Sequence, residues 1–400
     1  MPNILSFLQK NGNSDFAKIP FCEADVLVIG LLSYANFENS SISKNNDVKN
    51  SFINVKKYSR SSTHKKITNH FLLPDKYLKF LSRFMSSKRY DDLELGYFEC
   101  KNDEKIELQF FALTFKIDGK YFVTFRGTDR SVVGWKEDFN LVLMDKIPSQ
   151  DDSVSYLKKM INTLNSDVYV LGHSKGGNLA YYSFFFIEEE YKNRVNKVYN
   201  LDGPGFGFDT SEYTKKYKKQ LVKIVPSNDV VGVLLNDKSK LTICQSSKHD
   251  VTAHDMMSWQ LLGNKNFCEL KRMNELTIYS EALRLALNSY IKKIGIDKVE
   301  FIKEYIFKIV TINKVTDVIT IMNNALFIIV KSFKEFKKEN PNNYKEIEKL
   351  LKLFIKEYTH YLTKVQDERR KHAFNFLINR NKKDNNKNLN IKKETIWNIF

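Results

Sequence analysis

Short runs of apolar residues alternate with helix-like patterns through the middle of the chain. The runs at 108–117 and 121–126 flank Asp118-Gly119, a dipeptide that suits the positive φ angles of a tight turn, and they predict a β-hairpin. Strands that alternate with helices predict a parallel sheet whose active-site residues lie at the carboxyl ends of its strands. The strands predicted after the hairpin are 168–171, 197–201, 222–225 and 241–244, with helices at 175–191 and 211–219.

The two ends of the chain carry different patterns. Near the start, apolar spacing predicts helices at 24–33 and 75–87, and the Ser-, Asn- and Lys-rich segment 39–68 predicts a loop or mobile insertion. Near the other end, the Asn- and Lys-rich segment 379–390 predicts flexible chain. Beyond about residue 270 apolar residues recur only at helical spacing. The helices predicted in that region are 279–293, 299–310 and 344–364.

The composition is that of a folded protein. The chain has 400 residues, of which 42% are hydrophobic and 13% aromatic, enough to bury a core around a central sheet. Its four cysteines show no CxxC pair and no metal-ligand spacing, which favours reduced thiols and a cytoplasmic protein. We expect no signal peptide, because the first apolar run breaks at 9–14. We expect no membrane span, because Asn323 and Asn324 interrupt the best candidate at 318–330.

The formal net charge of +17 is concentrated in the last third of the chain. Residues 271–400 contain 27 Lys or Arg against 15 Asp or Glu, an excess of 12. A charge excess is usually a solvated face, and Lys is abundant throughout this chain. The basic C-terminal region would allow peripheral contact with an anionic membrane. Nucleic-acid binding is not expected, because no recognition module accompanies the charge.

The segment Gly172-His173-Ser174-Lys175-Gly176 matches the G-x-S-x-G pattern of a nucleophile elbow. An apolar strand precedes it and a helix follows it, which is the context that this chemistry needs. The glycines allow a sharp turn that exposes the Ser174 hydroxyl, and the helix points its positive end at the site. Ser174 is therefore the predicted nucleophile. For His173 we expect a packing or orienting role, because it is adjacent in sequence and points off the turn.

A serine hydroxyl needs a histidine to take its proton and a carboxylate to fix that histidine's tautomer. Asp229 comes just after the predicted strand 222–225 and is the favoured acid, whereas Asp202 lies in an Asp-Gly-Pro-Gly setting more typical of a turn and is the alternative. His249 and His254 both follow the last predicted strand, and spacing alone leaves the choice of base open. The other histidines outside the motif, predicted to be surface residues, are His64, His70, His360 and His372.

The oxyanion that forms during acyl transfer needs backbone N–H donors. Lys175 supplies one by position, since it follows the nucleophile. Thr128, in the segment Phe125-Arg126-Gly127-Thr128 at the end of the hairpin, is the candidate for the second donor. On local evidence an ordinary turn is an equal alternative for that segment.

Together these residues resemble the class 3 lipases, and more closely a bacterial family of lipase-like proteins related to them. The resemblance covers roughly residues 1–265. The segments that carry it are FRGTD at 125–129, GWKEDF at 134–139, GHSKGGNLA at 172–180, and His254-Asp255 followed by Ser258-Trp259. It implies a catalytic triad of Ser174, Asp229 and His254, with Thr128 and Lys175 framing the oxyanion hole.

The resemblance also bears on the base and on access to the site. It favours His254 over His249, because His254 carries the His-Asp and Ser-Trp pattern. It implies a lid at 130–147 with Trp135 as an apolar plug. Lys175 stands where those lipases usually have an apolar residue, and their secretory signal is not found. These two departures speak against extracellular triglyceride hydrolysis.

The sequence therefore predicts an α/β-hydrolase-like protein: a mostly parallel sheet flanked by helices, with an all-helical C-terminal extension. The predicted parts are a hydrolase domain at 1–268, a helical region at 269–378 and a flexible basic tail at 379–400. The predicted function is serine-dependent hydrolysis of an apolar acyl ester, either a lipid or a short ester, without a cofactor or metal. An acyltransferase or thioesterase with the same triad, and a non-catalytic binding or scaffold protein, are the alternatives.

Overall fold

A single eight-stranded sheet organises the first two-thirds of the chain, and its strands follow one another in chain order. The computed structural model describes residues 1–35, 37, 51–56, 74–129, 131–263, 267–312 and 341–383. Most of the predicted loop at 39–68 lies outside these residues, as do His64, His70 and most of the predicted tail.

The strands are β1 (Phe52–Asn54), β2 (Glu94–Asp103), β3 (Leu108–Ile117), β4 (Lys120–Phe125), β5 (Val168–His173), β6 (Val195–Leu201), β7 (Leu221–Pro226) and β8 (Leu241–Cys244). The described helices before the C-terminal region are α1 (Ile4–Asn11), α2 (Glu23–Leu32), α3 (Pro74–Ser86), α4 (Val132–Leu143), α5 (Pro148–Leu164), α6 (Lys175–Phe186), α7 (Glu189–Lys192) and α8 (Ser211–Lys216). Those of the C-terminal region are α9 (Ile278–Ile294), α10 (Ile296–Ile312) and α11 (Pro341–Lys383).

Strands β4 to β8 run parallel, whereas β1 to β4 pair antiparallel. The mostly parallel sheet and the hairpin of β3 and β4 confirm the sequence prediction, and Asp118 and Gly119 have the expected positive φ angles of 50° and 68°. β1 and β2 were not predicted. β1 lies within the segment 39–68 that was predicted to be a loop, and its three residues are too short a run to predict a strand. The second half of β2 is exposed, so its apolar pattern is weak.

Helices cover both faces of the sheet. Since successive side chains of a strand point to opposite faces, one strand contributes to the core on each side. On β3, Leu113 packs with α1, α2 and α3 on one face, and Phe110 packs with α5 and α6 on the other. Leu27 and Phe80 are fully buried in the first core, and Met160 is fully buried in the second. This double covering leaves the carboxyl ends of the parallel strands as the edge where polar residues gather.

Of the predicted helical region at 269–378, the described residues are helical from Ile278 onward, whereas 269–277 form no helix and pair with the hydrolase-like part through bridges of Leu270 with Leu261 and of Arg272 with Cys244. α9 packs against α11, where the Tyr290 hydroxyl donates to the Leu350 carbonyl at 3.1 Å. α10 packs against α4, with the rings of Phe139 and Phe307 5.7 Å apart between centroids. None of the described helices has the length and apolar character needed to cross a membrane. The domain boundary at 268/269 stays a prediction.

Candidate active site

Ser174 occupies the sharp turn between β5 and α6. Its φ of 59° and ψ of −132° lie in a region that residues other than glycine rarely adopt, and such strain is typical of functional sites. The turn is tight, since a Cβ on Gly172 would lie 1.9 Å from the Gly176 carbonyl oxygen. The Ser174 side chain is partly exposed at the N-terminus of α6. This is the geometry predicted for the nucleophile elbow.

His254 lies beside this turn, on a short 3-10 helix at 250–254 after β8. Its Nδ1 is 2.8 Å from Asp202 Oδ2 and 3.6 Å from Asp229 Oδ2. The imidazole is 14% exposed, and the two carboxyl side chains are 1% and 0% exposed. The structure therefore brings both candidate acids to one histidine.

The distances rank the two acids in the opposite order from the sequence-based preference. Asp202 follows β6 directly and makes the hydrogen-bond contact, whereas the favoured Asp229 follows β7 and lies 0.8 Å farther from the ring nitrogen. The turn-like setting that counted against Asp202 is present, because its φ is 54°. That turn nevertheless directs the carboxylate towards His254.

The three groups shift each other's protonation. Burial lowers the pKa of His254, but the hydrogen bonds and negative charges of Asp202 and Asp229 outweigh burial and raise that pKa to about 10. Burial and the charge of Asp229 hold the pKa of Asp202 well above its usual range. Burial also acts to raise the pKa of Asp229, but the contacts with His254, Asp202 and the Val231 N–H lower it overall.

His173 connects the elbow to the base. Its Nδ1 lies 2.8 Å from the Tyr34 hydroxyl, and its Nε2 lies 2.9 Å from the His254 carbonyl oxygen. Burial holds the pKa of His173 well below its usual range, so the ring is neutral, donates from Nε2 and accepts at Nδ1. These contacts agree with the predicted orienting role. The His173 and His254 rings lie next to each other, with their centroids 4.5 Å apart. In the described structure no hydrogen bond joins the Ser174 hydroxyl to the His254 ring.

The same trio offers the donor set of a metal site. The ligand atoms of Asp202, Asp229 and His254 all lie within 4.8 Å of one another. Two carboxylates and an imidazole suit several divalent metals. The 2.8 Å contact between Nδ1 and Oδ2, however, is a hydrogen-bond distance, and we interpret the trio as a histidine that two carboxylates orient. That no metal is needed stays a prediction.

The predicted oxyanion loop follows β4 and lies against the elbow, since a Cβ on Gly127 would be 3.0 Å from Ser174 Cβ. The Thr128 hydroxyl donates to both Asp138 carboxylate oxygens, at 2.7 and 2.8 Å. Burial raises the pKa of Asp138 to about 6. Before the loop, the buried Arg126 guanidinium donates to two backbone carbonyls of the chain after α2. The loop is thus fixed from both sides.

Lys175, the second predicted oxyanion residue, is the first residue of α6, so its backbone N–H has no partner within the helix. Its side chain points into the protein, where Nζ contacts Glu137 Oε2 at 2.5 Å and Gln109 at 2.7 and 2.8 Å. Both charged side chains are 0% exposed. Glu137 also accepts from the backbone N–H groups of Gln109 and Ser149. Lys175 therefore ties the nucleophile helix to α4.

The ion pair between Lys175 and Glu137 lies partly within the segment 130–147 that was predicted to be a lid. Within that segment α4 is anchored by the buried Glu137, and residue 130 lies outside the described residues. Trp135 is half-buried on α4, and its indole N–H is buried without a hydrogen-bond partner among the described residues. Its role as a plug stays a prediction.

The described histidines outside the site lie where the sequence suggested. His249 is exposed and contacts Asn228 at 3.0 Å, whereas the ion pairs of the two acids are with His254. His360 and His372 are exposed as expected. Sequence reasoning gave no role to Arg126, Glu137 or Asp138. All three fall within the motif segments of the resemblance, which was the signal that could have singled them out.

Comparisons with known proteins found two similar solved structures and one matching family model for the chain. Two solved structures similar to it are a mutant form of MDLA from Penicillium cyclopium and the Lip2 lipase from Yarrowia lipolytica. The first is 15% identical with a TM-score of 0.35, covering 56% of this chain and 81% of that one. The second is 14% identical with a TM-score of 0.27, covering 46% and 72%. No curated protein matches the chain.

A family model gives the firmer relationship. The Mbeg1-like model matches residues 84–308, which is more than half of the chain and includes both the elbow and His254. The match bears out the lipase-like part of the resemblance and leaves its bacterial part a prediction. The chain therefore belongs to the Mbeg1-like family, a lipase-like family, and has the α/β-hydrolase architecture.

Proposed function

We propose that the protein is a serine ester hydrolase that acts on an apolar acyl ester through an acyl-enzyme. The observation that carries this proposal is the strained, partly exposed Ser174 beside a histidine that two buried carboxylates hold. A strained backbone costs folding free energy, and a histidine whose pKa is strongly perturbed by buried carboxylates is typical of a functional site, so the two together favour a catalytic role.

Acylation begins when His254 Nε2 takes the proton of the Ser174 hydroxyl and the oxygen attacks the ester carbonyl carbon. The backbone N–H groups of Lys175 and Thr128 stabilise the oxyanion. The tetrahedral intermediate then breaks its carbon–oxygen bond to the alcohol, which leaves with the proton from His254. The structure shows no hydrogen bond between the Ser174 hydroxyl and the His254 ring, and such bonds commonly tighten when substrate binds.

Deacylation repeats these steps with water. His254 takes a proton from water, the hydroxide attacks the acyl carbon, and the bond to Ser174 Oγ breaks as that oxygen regains a proton. The products are a carboxylic acid and the free enzyme. The lipase-like family supports an apolar acyl group, and a lipid or a short ester would both satisfy the chemistry.

The expected activity rises with pH. His254 accepts a proton only when neutral, and its two carboxylates raise its pKa to about 10, so the neutral form grows as pH increases towards that value. We expect kcat/KM for p-nitrophenyl esters, from acetate to palmitate, to rise between pH 7 and 10. The Ser174→Ala protein provides the background rate at each pH. A rate that is flat across this range would contradict a base with a raised pKa, and no turnover of any ester would contradict the proposed function.

The Thr128 hydroxyl is expected to support catalysis by fixing the oxyanion loop. Thr128→Val removes the bond to Asp138 that fixes the oxyanion loop, and we expect kcat to fall by at least about tenfold, towards the 10²- to 10³-fold cost of losing an oxyanion donor. Thr128→Ser keeps the hydroxyl and should retain most of the activity. Equal kcat values for Thr128→Val and Thr128→Ser would show that the Thr128 hydroxyl does not fix the oxyanion loop.

A further inference from the structure

We propose that His254 is positioned by a pair of acids, with Asp202 as its direct hydrogen-bond partner and Asp229 as a second carboxylate facing the same ring nitrogen. Neither residue touches the reacting ester, so both are positioning residues. The inference rests on the proposed function, because it deepens the account of the same site.

The topology places the two carboxylates together. They follow β6 and β7, which are neighbouring parallel strands, so their carboxyl ends lie side by side at one edge of the sheet. His254 ends the 3-10 helix at 250–254, which follows β8 in the chain. Its Nδ1 therefore meets both side chains, at 2.8 and 3.6 Å, in a setting where neither carboxylate is exposed by more than 1%.

The chain around Asp202 is shaped for a carboxylate. Asp202 adopts a φ of 54°, which is costly for most residues but tolerated by Asp and Asn. A Cβ on Gly232, in the loop after Asp229, would lie 2.1 Å from Asp202 Oδ1 and 3.0 Å from its Cα. A larger residue at position 232 would therefore displace the carboxylate. Asp202 is not merely the turn residue that its sequence setting suggested.

Asp229 is held at the same place by its own loop. The Val231 N–H donates to Asp229 Oδ2 at 2.9 Å, whereas its Oδ1 is buried without a hydrogen-bond partner among the described residues. Burying an unpaired carboxylate oxygen is costly. One carboxylate oxygen of Asp202 and one of Asp229 lie within 4.8 Å of each other, and burial together with the charge of Asp229 raises the pKa of Asp202. Two buried carboxylates this close rarely both ionise, and one of them usually keeps its proton.

His254 is the basic side chain that pairs with both Asp202 and Asp229. The titratable groups that interact with His254 are His173 on β5, Asp138 on α4, and Asp255, whereas Cys244 on β8 interacts with Asp202. Within the described structure no Lys or Arg lies within 4.0 Å of either acid. When His254 becomes an imidazolium in the transition state, the pair therefore supplies the compensating negative charge.

If both carboxylates position His254, each should partly replace the other when one of them is removed. Asp202→Asn and Asp229→Asn should each lower kcat by about tenfold, because the remaining carboxylate still fixes the tautomer of His254. The double variant should lose about 10⁴-fold, the cost of removing the acid from a triad, which exceeds the product of the single losses. Removing either carboxylate also lowers the pKa of His254, so the acid limb of the kcat/KM profile should move to lower pH in each single variant.

The experiment measures kcat and the acid limb of the pH profile for the full-length wild type, both single variants and the double variant. Asp209→Asn, which removes an exposed carboxylate between β6 and β7, is the matched control and should leave both unchanged. Asn fits the left-handed backbone of residue 202, and thermal unfolding of each variant verifies folding. If the Asp202 variant does not fold, a shift of the acid limb in Asp229→Asn alone still tests the pair.

The proposal of two positioning acids is overturned if one single variant has the same kcat as the double variant while the other single variant keeps the wild-type kcat and an unshifted acid limb. That result would leave a triad with one acid and the proposed function intact. A wild type that neither turns over an ester nor reacts with a phosphonate probe would instead refute the proposed function itself.

Discussion

Replacing Ser174 with alanine is expected to lower kcat for ester hydrolysis by about a millionfold. The hydroxyl is the only group that the proposed mechanism uses to form a covalent bond, and the strained turn at φ 59° presents it at the N-terminus of α6. The oxyanion donors would remain, so a small residual rate above water is expected. Steady-state hydrolysis of the best ester in the panel measures the effect.

Ser183 provides a matched control for this substitution. It lies on the same helix but is fully buried, and its hydroxyl donates to the Ala180 carbonyl. Ser183→Ala should leave kcat close to that of the wild type. If Ser174→Ala retained more than a tenth of the wild-type kcat, Ser174 could not be the nucleophile.

Lys175→Met is expected to destabilise the protein by about 3–5 kcal/mol, because it leaves Glu137 as a buried charge without its partner. Methionine is similar in length to lysine, so the loss comes from charge rather than from a cavity. The backbone N–H of residue 175 is retained, and the folded fraction should therefore keep a functioning elbow. Urea unfolding gives the free energy of unfolding for the wild type and the variant.

The double variant Lys175→Met with Glu137→Gln tests the reason for that loss. Glutamine removes the charge, and its single carbonyl oxygen can accept from one of the two backbone N–H groups that Glu137 serves, so part of the lost stability should return. Lys158→Met, which breaks an exposed ion pair with Glu188, is the control and should change stability little. A Lys175→Met protein as stable as the wild type would show that the pair does not anchor α4.

The sequence carried enough information to predict the sheet where apolar runs were clear. The hairpin at Asp118-Gly119 and the parallel strands that surround the elbow were predicted because buried strands are apolar on both faces. β2 was missed because half of it faces solvent. Its alternation is too weak to separate a strand from a loop.

The acids show where sequence reasoning reaches its limit. Both Asp202 and Asp229 were recognised as strand-end residues, but ranking them needs the direction of each carboxylate. A φ of 54° turns Asp202 towards His254, and the absence of a side chain at Gly232 leaves space for it. Neither fact can be obtained from spacing along the chain.

The role of Lys175 also depends on a distant partner. Sequence reasoning treated this lysine as a departure from the lipases, whereas the structure pairs it with Glu137, 38 residues away. Glu137 lies in a motif segment that had already been noted, yet no local pattern reveals that its side chain is fully buried. The cytoplasmic location and the contact of the C-terminal region with an anionic membrane stay predictions, because no described contact bears on them.

The most direct test of the central claim is covalent labelling of Ser174 itself. Purified wild-type protein treated with a fluorophosphonate should gain one phosphonyl group, and peptide mass spectrometry should locate that group on Ser174. Labelling should be lost in Ser174→Ala and strongly slowed in His254→Ala, because the serine is then no longer activated. An unlabelled wild type, in the presence and absence of detergent, or a label on another residue would contradict the account.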